Sequence, residues 1–524
     1  MSSGNTSSSL QIAKPLVSPS LDQEDLTLTH LQTNEADDLA AALPTIESAF
    51  FWPLLLFCIH FAHALLYAYL YPYQVYDTDL FAYFIYFRNW LDHVQTLHSA
   101  IFFPVPKPLL VFLLGPLGDP WFAFYISALA AAGLGSVVYV ISRNAFGHLP
   151  ALLFSIFFLL DPLKGILALR SSAELYLCLF FFLSLYLASR DRHGLSSVCI
   201  ALSALVKPVT LPAAFFFLLP PQLSRTKRWV CTSIALSALP LTLLVLHEVA
   251  GGTTSSERFF NEFTAMRNTT AVTPDQVVSF VFWTQLVKTR FPLSAPFGFL
   301  GIIMWLAADR RRLTSPLFLF PLGFLAGYLT LSIASPYSPF FRFFWPIEIW
   351  FLAFLAYGIV EGVRRITLGQ AVQHKVVMGF LCFFLFDDSL QYYFRYRNKF
   401  TLPFEEGMAF VQRSLDILKR ERQAHESVMT SLAFVPPVMW TLNSYDRIDA
   451  VLSVEEKATK GESVQPEWII YVPTISANLK TNEWLDEILR AGHYQLRLQE
   501  GTSALLRRPS VQPEQLFGPS RDEP

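Results

Sequence analysis

Two carboxylates, Asp77 and Asp79, stand two residues apart in "QVYDTDLFAY", directly after the chain's first long apolar run. In "FFPVPKPLL", Lys107 sits between two prolines at the start of the next apolar stretch. A carboxylate at the edge of a bilayer can take the proton of an attacking hydroxyl or amine. A cation beside it can neutralise a phosphate held there by a lipid tail. Further on, "LKGILALRSSAELYLCLFF" carries Arg170 and Glu174, "ALSALVKPVTLPAA" carries Lys207 before Pro208, and "SPYSPFFRFFWPIEIW" carries Arg342. Each residue also has an ordinary use. Asp77 or Asp79 would cap a following helix, Lys107 and Arg342 would serve as interfacial anchors, and Arg170 would pair with Glu174 one helical turn later.

Composition says what must position these groups. Over 524 residues the chain is 53% hydrophobic, 15% aromatic and only 15% charged, too apolar for a soluble core to hide. It reads as mostly α, a polytopic membrane protein. A formal net charge of -2 gives no basic field, and no basic arm appears, so nucleic acid is excluded as a partner. Cys58, Cys178, Cys199, Cys231 and Cys382 all lie in or beside apolar stretches and show no Cys-x-x-Cys spacing. His60 and His63 are three apart on the first span, but no third ligand is visible, and no metal is assigned.

Segments 1–50 read as a disordered cytoplasmic tail, rich in Ser, Thr and acidic residues, without a cleavable signal. About eleven spans are expected within 51–398: Phe51 to Tyr71, Pro120 to Ser142, Leu149 to Leu163, Ser172 to Ser189, Leu195 to Val206, Pro208 to Leu219, Trp229 to Val249, Phe291 to Ala308, Pro316 to Ala334, Phe343 to Val360 and Val376 to Gln391. The break at Lys207-Pro208 predicts a discontinuous helix lining a cavity. Short basic loops at Arg190, Arg192, Arg225, Lys227, Arg228, Arg310, Arg311, Arg312, Arg364 and Arg365 prefer the cytoplasm. They place the N-terminus inside and put the first outer loop, 72–108, and the second, 250–290, on the opposite side. Leu80, Phe81, Phe84, Phe87 and Leu91 recur at helical spacing, which predicts an amphipathic interfacial helix over Asp79 to Asp92. Asp387-Asp388 mark the expected end of the last span, and Asn268-Thr269-Thr270 is a sequon in an outer loop.

Residues 399–508 change character and predict a small extracytoplasmic C-terminal α/β domain. Its expected parts are a helix at Glu405 to Arg420, strand-like runs at Val428 to Val435 and Trp468 to Val472, and a helix at Asn482 to Ala491. The Pro- and charge-rich 509–524 reads as a disordered tail.

In order and character, these blocks resemble the type C (GT-C) glycosyltransferases, such as protein mannosyltransferases and lipid A aminoarabinose transferases. The likeness runs from about Phe51 to Val360. "YDTDLFAYFIYFRNWLDH" resembles the family's first-loop acidic motif and helix, and "PVPKPLL" the element that closes that loop. The block from "LRSSAEL" to "LVKPVTLPAA" resembles the acidic residue, apolar helix, basic turn and Arg-Pro series, and "RFFWPIEIW" the Arg-Tyr-x-x-Pro start of a late span. Lys207 stands where Arg is frequent, Glu174 where Asp is frequent, and Pro106 where the aminoarabinose enzymes carry an acid; these departures bear on which sugar is used.

The resemblance implies an inverting membrane glycosyltransferase that moves a sugar from a polyprenyl-phosphate carrier to an extracytoplasmic glycan, lipid or protein. Asp77 is the expected base, with Asp79 as substitute. Lys107, with Lys207 and Arg342, is expected to bind donor phosphate, and Glu174 with Arg170 to orient the acceptor. No cofactor is required, although some relatives use a divalent metal. The membrane would be the plasma membrane of a bacterium or the endoplasmic reticulum of a eukaryote. A transporter or lipid flippase, and a non-catalytic scaffold of the same fold, are the alternatives.

Overall fold

The computed structural model describes residues 50–92, 107–220, 223–249, 295–334, 345–367, 371–431, 434–444, 451–454, 464–473, 486–492 and 494–509. It is mostly helical, with one five-stranded sheet near the C-terminus. The chain is an integral membrane protein. Among the described residues four runs are long and apolar enough to cross a bilayer: Phe51–Leu70, Pro120–Phe146, Arg225–Val245 and Trp345–Ile366. A fifth is His148–Leu159 with Pro162–Leu169, bent by 57° at a break that falls inside the expected span Leu149 to Leu163. Helix length therefore does not carry the count of eleven. Ala173–Ser189, His193–Val206 and Ala295–Ala308 are helices of 17, 14 and 14 residues, and 14 residues reach only about 21 Å.

What cuts these helices short is legible residue by residue. Asp161 Oδ1 accepts from Leu163 N at 3.0 Å with Pro162 at the first helical position. Asp119 does the same ahead of Pro120, accepting from Trp121 N and Phe122 N at 2.8 and 3.1 Å. Such caps contribute about 0.5–2 kcal/mol each and fix where a helix starts. At the other end, the helix Pro162–Leu169 stops at Ser171, whose φ is 48°. Ser172 N donates to Leu167 O at 2.9 Å and Ser171 N to Ala168 O at 3.2 Å. This is a Schellman closure with serine where glycine is usual. Lys207 is extended (φ −150°, ψ 126°), and Pro208–Leu218 continues as a 3-10 helix with Pro212 inside, so the expected discontinuity is present.

Two helices touch through bare backbone. A Cβ on Gly301 would lie 2.2 Å from Phe354 O, and one on Gly358 would lie 2.0 Å from Phe297 O. Ala295–Ala308 and Trp345–Ile366 thus meet where side chains are absent on both sides, as membrane helices do when packing rather than water drives association.

The helix at the expected last span runs past its expected end and is not among the described runs long and apolar enough to cross a bilayer. Asp387 and buried Asp388 lie inside the helix Ala371–Tyr396, which passes through a π turn at Arg397–Thr401 into the helix Leu402–Glu421. Polar residues do not end it, because Gln391 Nε2 donates to Asp387 one turn back at 2.6 Å. Beyond it the sheet comprises β1 (Val428–Thr430), β2 (Val451–Ser453), β3 (Trp468–Tyr471), β4 (Gln495–Glu500) and β5 (Ser503–Arg507). Their order is β2-β1-β3-β5-β4, parallel on the β2-β1-β3 side and antiparallel on the other. The apolar run expected as one strand, Val428 to Val435, splits after Thr430, and Val435–Thr441 is a helix begun by Pro436 and Pro437. Prolines cannot donate to a ladder but suit a first helical turn. The sheet-bearing part shares one buried apolar cluster with the helical body, containing Leu80, Phe84, Trp345, Met408 and Val438.

Candidate functional site

The first-loop helix spans Thr78–Leu91. Asp77 is its N-cap, with Oδ1 accepting from Asp79 N at 3.0 Å. Its opposite carboxylate oxygen, Oδ2, lies 3.7 Å from Arg170 Nε. Asp79, one residue inside the helix, points elsewhere. Its Oδ2 accepts from Lys107 Nζ at 2.7 Å, with both side chains nearly buried. Lys107 owes its position to the proline on its C-terminal side: it is the N-cap of the helix Pro108–Leu114, and its ammonium also lies 5.5 Å from the Tyr83 ring centre.

The helix was expected to lie in the interface, and it is instead covered by protein. Asp79 to Tyr86 are all buried, Phe84 packs on Trp440 at 5.4 Å between ring centres, and Leu80 and Phe81 enter the main cluster. The covering surface comes partly from Pro108–Leu117 and partly from the C-terminal helix Val435–Thr441, which no periodicity within the first-loop helix could announce.

The expected pair Arg170–Glu174 does not form. The left-handed turn at Ser171 breaks the helical register between the two residues, so the one-turn neighbour rule does not apply. Arg170 is directed to Gln74, donating from Nε and Nη2 to Oε1 at 2.8 and 2.6 Å, and to Asp77. Its guanidinium also stacks over Phe404 at 4.4 Å. Glu174, in the first turn of Ala173–Ser189, accepts instead from Lys207 Nζ at 2.5 Å. Glu174 is also close enough to Lys107 to act on its charge.

Asp77–Arg170, Asp79–Lys107 and Glu174–Lys207 therefore form three ion pairs, three carboxylates against three cations. Arg342 lies outside the described residues, as do the end of the first outer loop, 93–106, and the second outer loop with its sequon. Buried charges persist only when paired and hydrogen-bonded, because each unpaired ion costs several kcal/mol. A neutral cluster of six meets that condition and leaves its balance open to change when an anion arrives.

Several residues escaped the sequence reading. Gln74 orients Arg170 and also donates to Thr401 O at 2.9 Å. Glu405 accepts from Tyr73 N at 3.0 Å, tying the loop to the helix Leu402–Glu421. Asp161 Oδ2 accepts from Trp345 Nε1 at 2.8 Å, and fully buried Lys164 lies 2.6 Å from His60 Nδ1. Asp161-Pro162 carried a cap signal, and Lys164 in an apolar run carried a charge signal. Gln74 and Glu405 carried none. Among the described residues no three His, Cys, Asp or Glu side chains group as a metal site.

The fold of the chain is found among solved structures. No protein-family profile matches the chain and no curated protein does. Among solved structures, ArnT from Cupriavidus metallidurans bound to undecaprenyl phosphate aligns over 88% of this chain and 99% of its own, with a TM-score of 0.52 and 12% identity. Its apo state aligns over 88% and 98% at 0.49 and 12% identity. At such identity the likeness is one of fold.

Proposed function

We propose that this chain is a membrane glycosyltransferase that takes a sugar from a polyprenyl-phosphate carrier and passes it, with inversion, to an extracytoplasmic acceptor. The observation that carries the reading is the Asp79–Lys107 pair at 2.7 Å, set in a neutral charge cluster. The shared fold with a protein solved with undecaprenyl phosphate supports the choice of donor.

A donor phosphate entering this cluster competes with Asp79 for the Lys107 ammonium. As Lys107 turns to the phosphate, Asp79 loses its counter-ion and gains basicity where the acceptor must lose a proton. The acceptor oxygen or nitrogen attacks the anomeric carbon, its proton passes to Asp79, and the carbon–oxygen bond to the phosphate breaks with its electron pair leaving on the phosphate. Lys107, with Lys207 and Arg342 in support, favours the charge that develops there. Asp77 is better suited to position than to proton transfer, since its oxygens face the helix cap and Arg170. Glu174 fixes Lys207, and a single base implies inversion.

On this reading the N-terminus is cytoplasmic, and 399–508 forms an extracytoplasmic domain held against the first loop. The reading is tested by mass spectrometry of lipids, surface glycans and secreted proteins from cells lacking the protein. A sugar should disappear, return with the wild-type chain, and stay absent with Asp79→Asn. No missing sugar, or full rescue by that variant, defeats the proposal. A transport reading draws on the buried Lys164–His60 contact within the helical body; uptake of unmodified substrate by sealed vesicles would favour it.

A further inference from the structure

At the opposite end of the helix that starts with Glu174 lies a second, separate site. Ala173–Ser189 carries Arg190 as its C-cap, and 16 residues of rise put Arg190 roughly 24 Å from Glu174. There a cavity of about 520 Å³ opens between three elements: the end of Pro120–Phe146, the end of Ala173–Ser189, and the basic turn after Ala295–Ala308. Its polar side is formed by Asn144, Arg190, Arg312 and Ser315, and its apolar wall includes Leu185 and Trp305.

Arg312 is built into the cavity wall. Its guanidinium stacks over the Trp305 ring at 5.2 Å, and Nη1 donates to Trp305 O at 2.9 Å, leaving other donors directed away from that carbonyl. Arg190 lies 5.7 Å from the Tyr186 ring centre. Among the described residues no carboxylate lines the cavity and none is ion-paired with either arginine. Two guanidiniums with an apolar wall match a phosphate carried on a hydrocarbon body. A basic pocket between membrane helices is suited to an anionic lipid headgroup.

We propose that this cavity binds the phosphate of an anionic phospholipid from the leaflet opposite the Asp79–Lys107 cluster. On the reading above that is the cytoplasmic leaflet; the binding itself does not depend on that reading. The phosphodiester bridges Arg190 and Arg312, Asn144 and Ser315 offer it further hydrogen bonds, and acyl carbons lie along Leu185 and Trp305. The ligand would sit at the far end of Ala173–Ser189, the helix whose first turn carries Glu174.

The test uses the purified, delipidated full chain, titrated with phosphatidylglycerol or phosphatidylcholine and followed by native mass spectrometry. Wild type should retain phosphatidylglycerol in preference to phosphatidylcholine. Arg190→Gln with Arg312→Gln should weaken that retention at least about tenfold, the scale of losing a charge-assisted contact. Asn144→Glu, at an exposed position that tolerates substitution, should do the same by placing a carboxylate before the guanidiniums. Arg497→Gln, on the sheet and outside both sites, should leave it unchanged. Equal retention of the two lipids, or no effect of Asn144→Glu in a folded protein, overturns the proposal. If excess inorganic phosphate binds in the lipid's place, the site recognises phosphate without a tail and the lipid assignment fails. The readout is lipid retention, so its failure leaves the sugar-transfer reading standing.

Discussion

The two aspartates of the first loop differ in what they are asked to do. Asp77 begins a helix and meets Arg170, whereas Asp79 meets the lysine that caps the helix begun by Pro108. Asp79→Asn should lower sugar transfer by about 10²–10⁴-fold, the usual range for a lost general base, while leaving membrane expression intact. Asp77→Asn should retain measurable transfer and cost about 1 kcal/mol or less of stability, because asparagine still caps a helix. Transfer assays on membranes with matched protein levels distinguish the two; a dead Asp77→Asn beside an active Asp79→Asn would reverse their roles. The six residues of the cluster could be picked out from the chain because charge is scarce in apolar sequence and costly to keep there. Their pairing could not. Arg170 and Glu174 look like partners until Ser171 takes a left-handed backbone, and serine gives no warning of it.

At the scale of elements, that turn separates two halves of the cluster. Ser171→Gly should keep activity and raise stability by about 1 kcal/mol, since glycine adopts this conformation without steric penalty. Ser171→Val should lower both stability and transfer. Thermal unfolding of the detergent-solubilised protein measures the first effect, and an unchanged midpoint for both variants would contradict the assignment of strain to this residue. The sheet carries its own switch. Burial pushes the Glu426 carboxyl up, but hydrogen bonds from Trp468 Nε1 and Gln423 N, with the Arg507 charge, outweigh it and hold the group below its usual range. Glu467 is likewise held low against burial by Ser427. A carboxyl depressed in the folded state stabilises above its unfolded value of 4.5 and loses that contribution as pH falls through the folded value. Trp468 fluorescence should therefore stay constant near neutrality and report loosening below about pH 4.5, and Glu426→Gln should flatten that response. Helix starts at Asp-Pro pairs and the break at Lys207-Pro208 were written locally, in cap and proline chemistry. The strands β1 and β3 fall in runs legible in the chain, whereas β2, β4 and β5 were not legible there; a strand of three residues such as β2 takes its stability from neighbours rather than pattern.

For the whole molecule, the C-terminal part does more than follow the helical body. Phe404 stacks on Arg170 and Glu405 holds Tyr73, so one long helical run links Ala371–Tyr396 to the back of the charge cluster, and Trp440, on the separate helix Val435–Thr441, packs on Phe84. Phe404→Ala should loosen Arg170 and reduce transfer severalfold without altering insertion, read as a fall in turnover with unchanged protease resistance. The membrane class and the late change of composition were evident from the chain alone. The span count was not, since an apolar run says that a segment is buried and leaves open whether lipid or protein does the burying.

The central claim is that Lys107 and Asp79 hold and respond to a polyprenyl phosphate. Binding of radiolabelled polyprenyl phosphate to the purified chain tests it most directly. Wild type should bind saturably, Lys107→Ala should bind about 10–100-fold more weakly as a charged hydrogen bond is lost, and Asp79→Asn should bind at least as tightly because no carboxylate then competes for the ammonium. Equal binding by wild type and Lys107→Ala, or weaker binding by Asp79→Asn, would contradict the account.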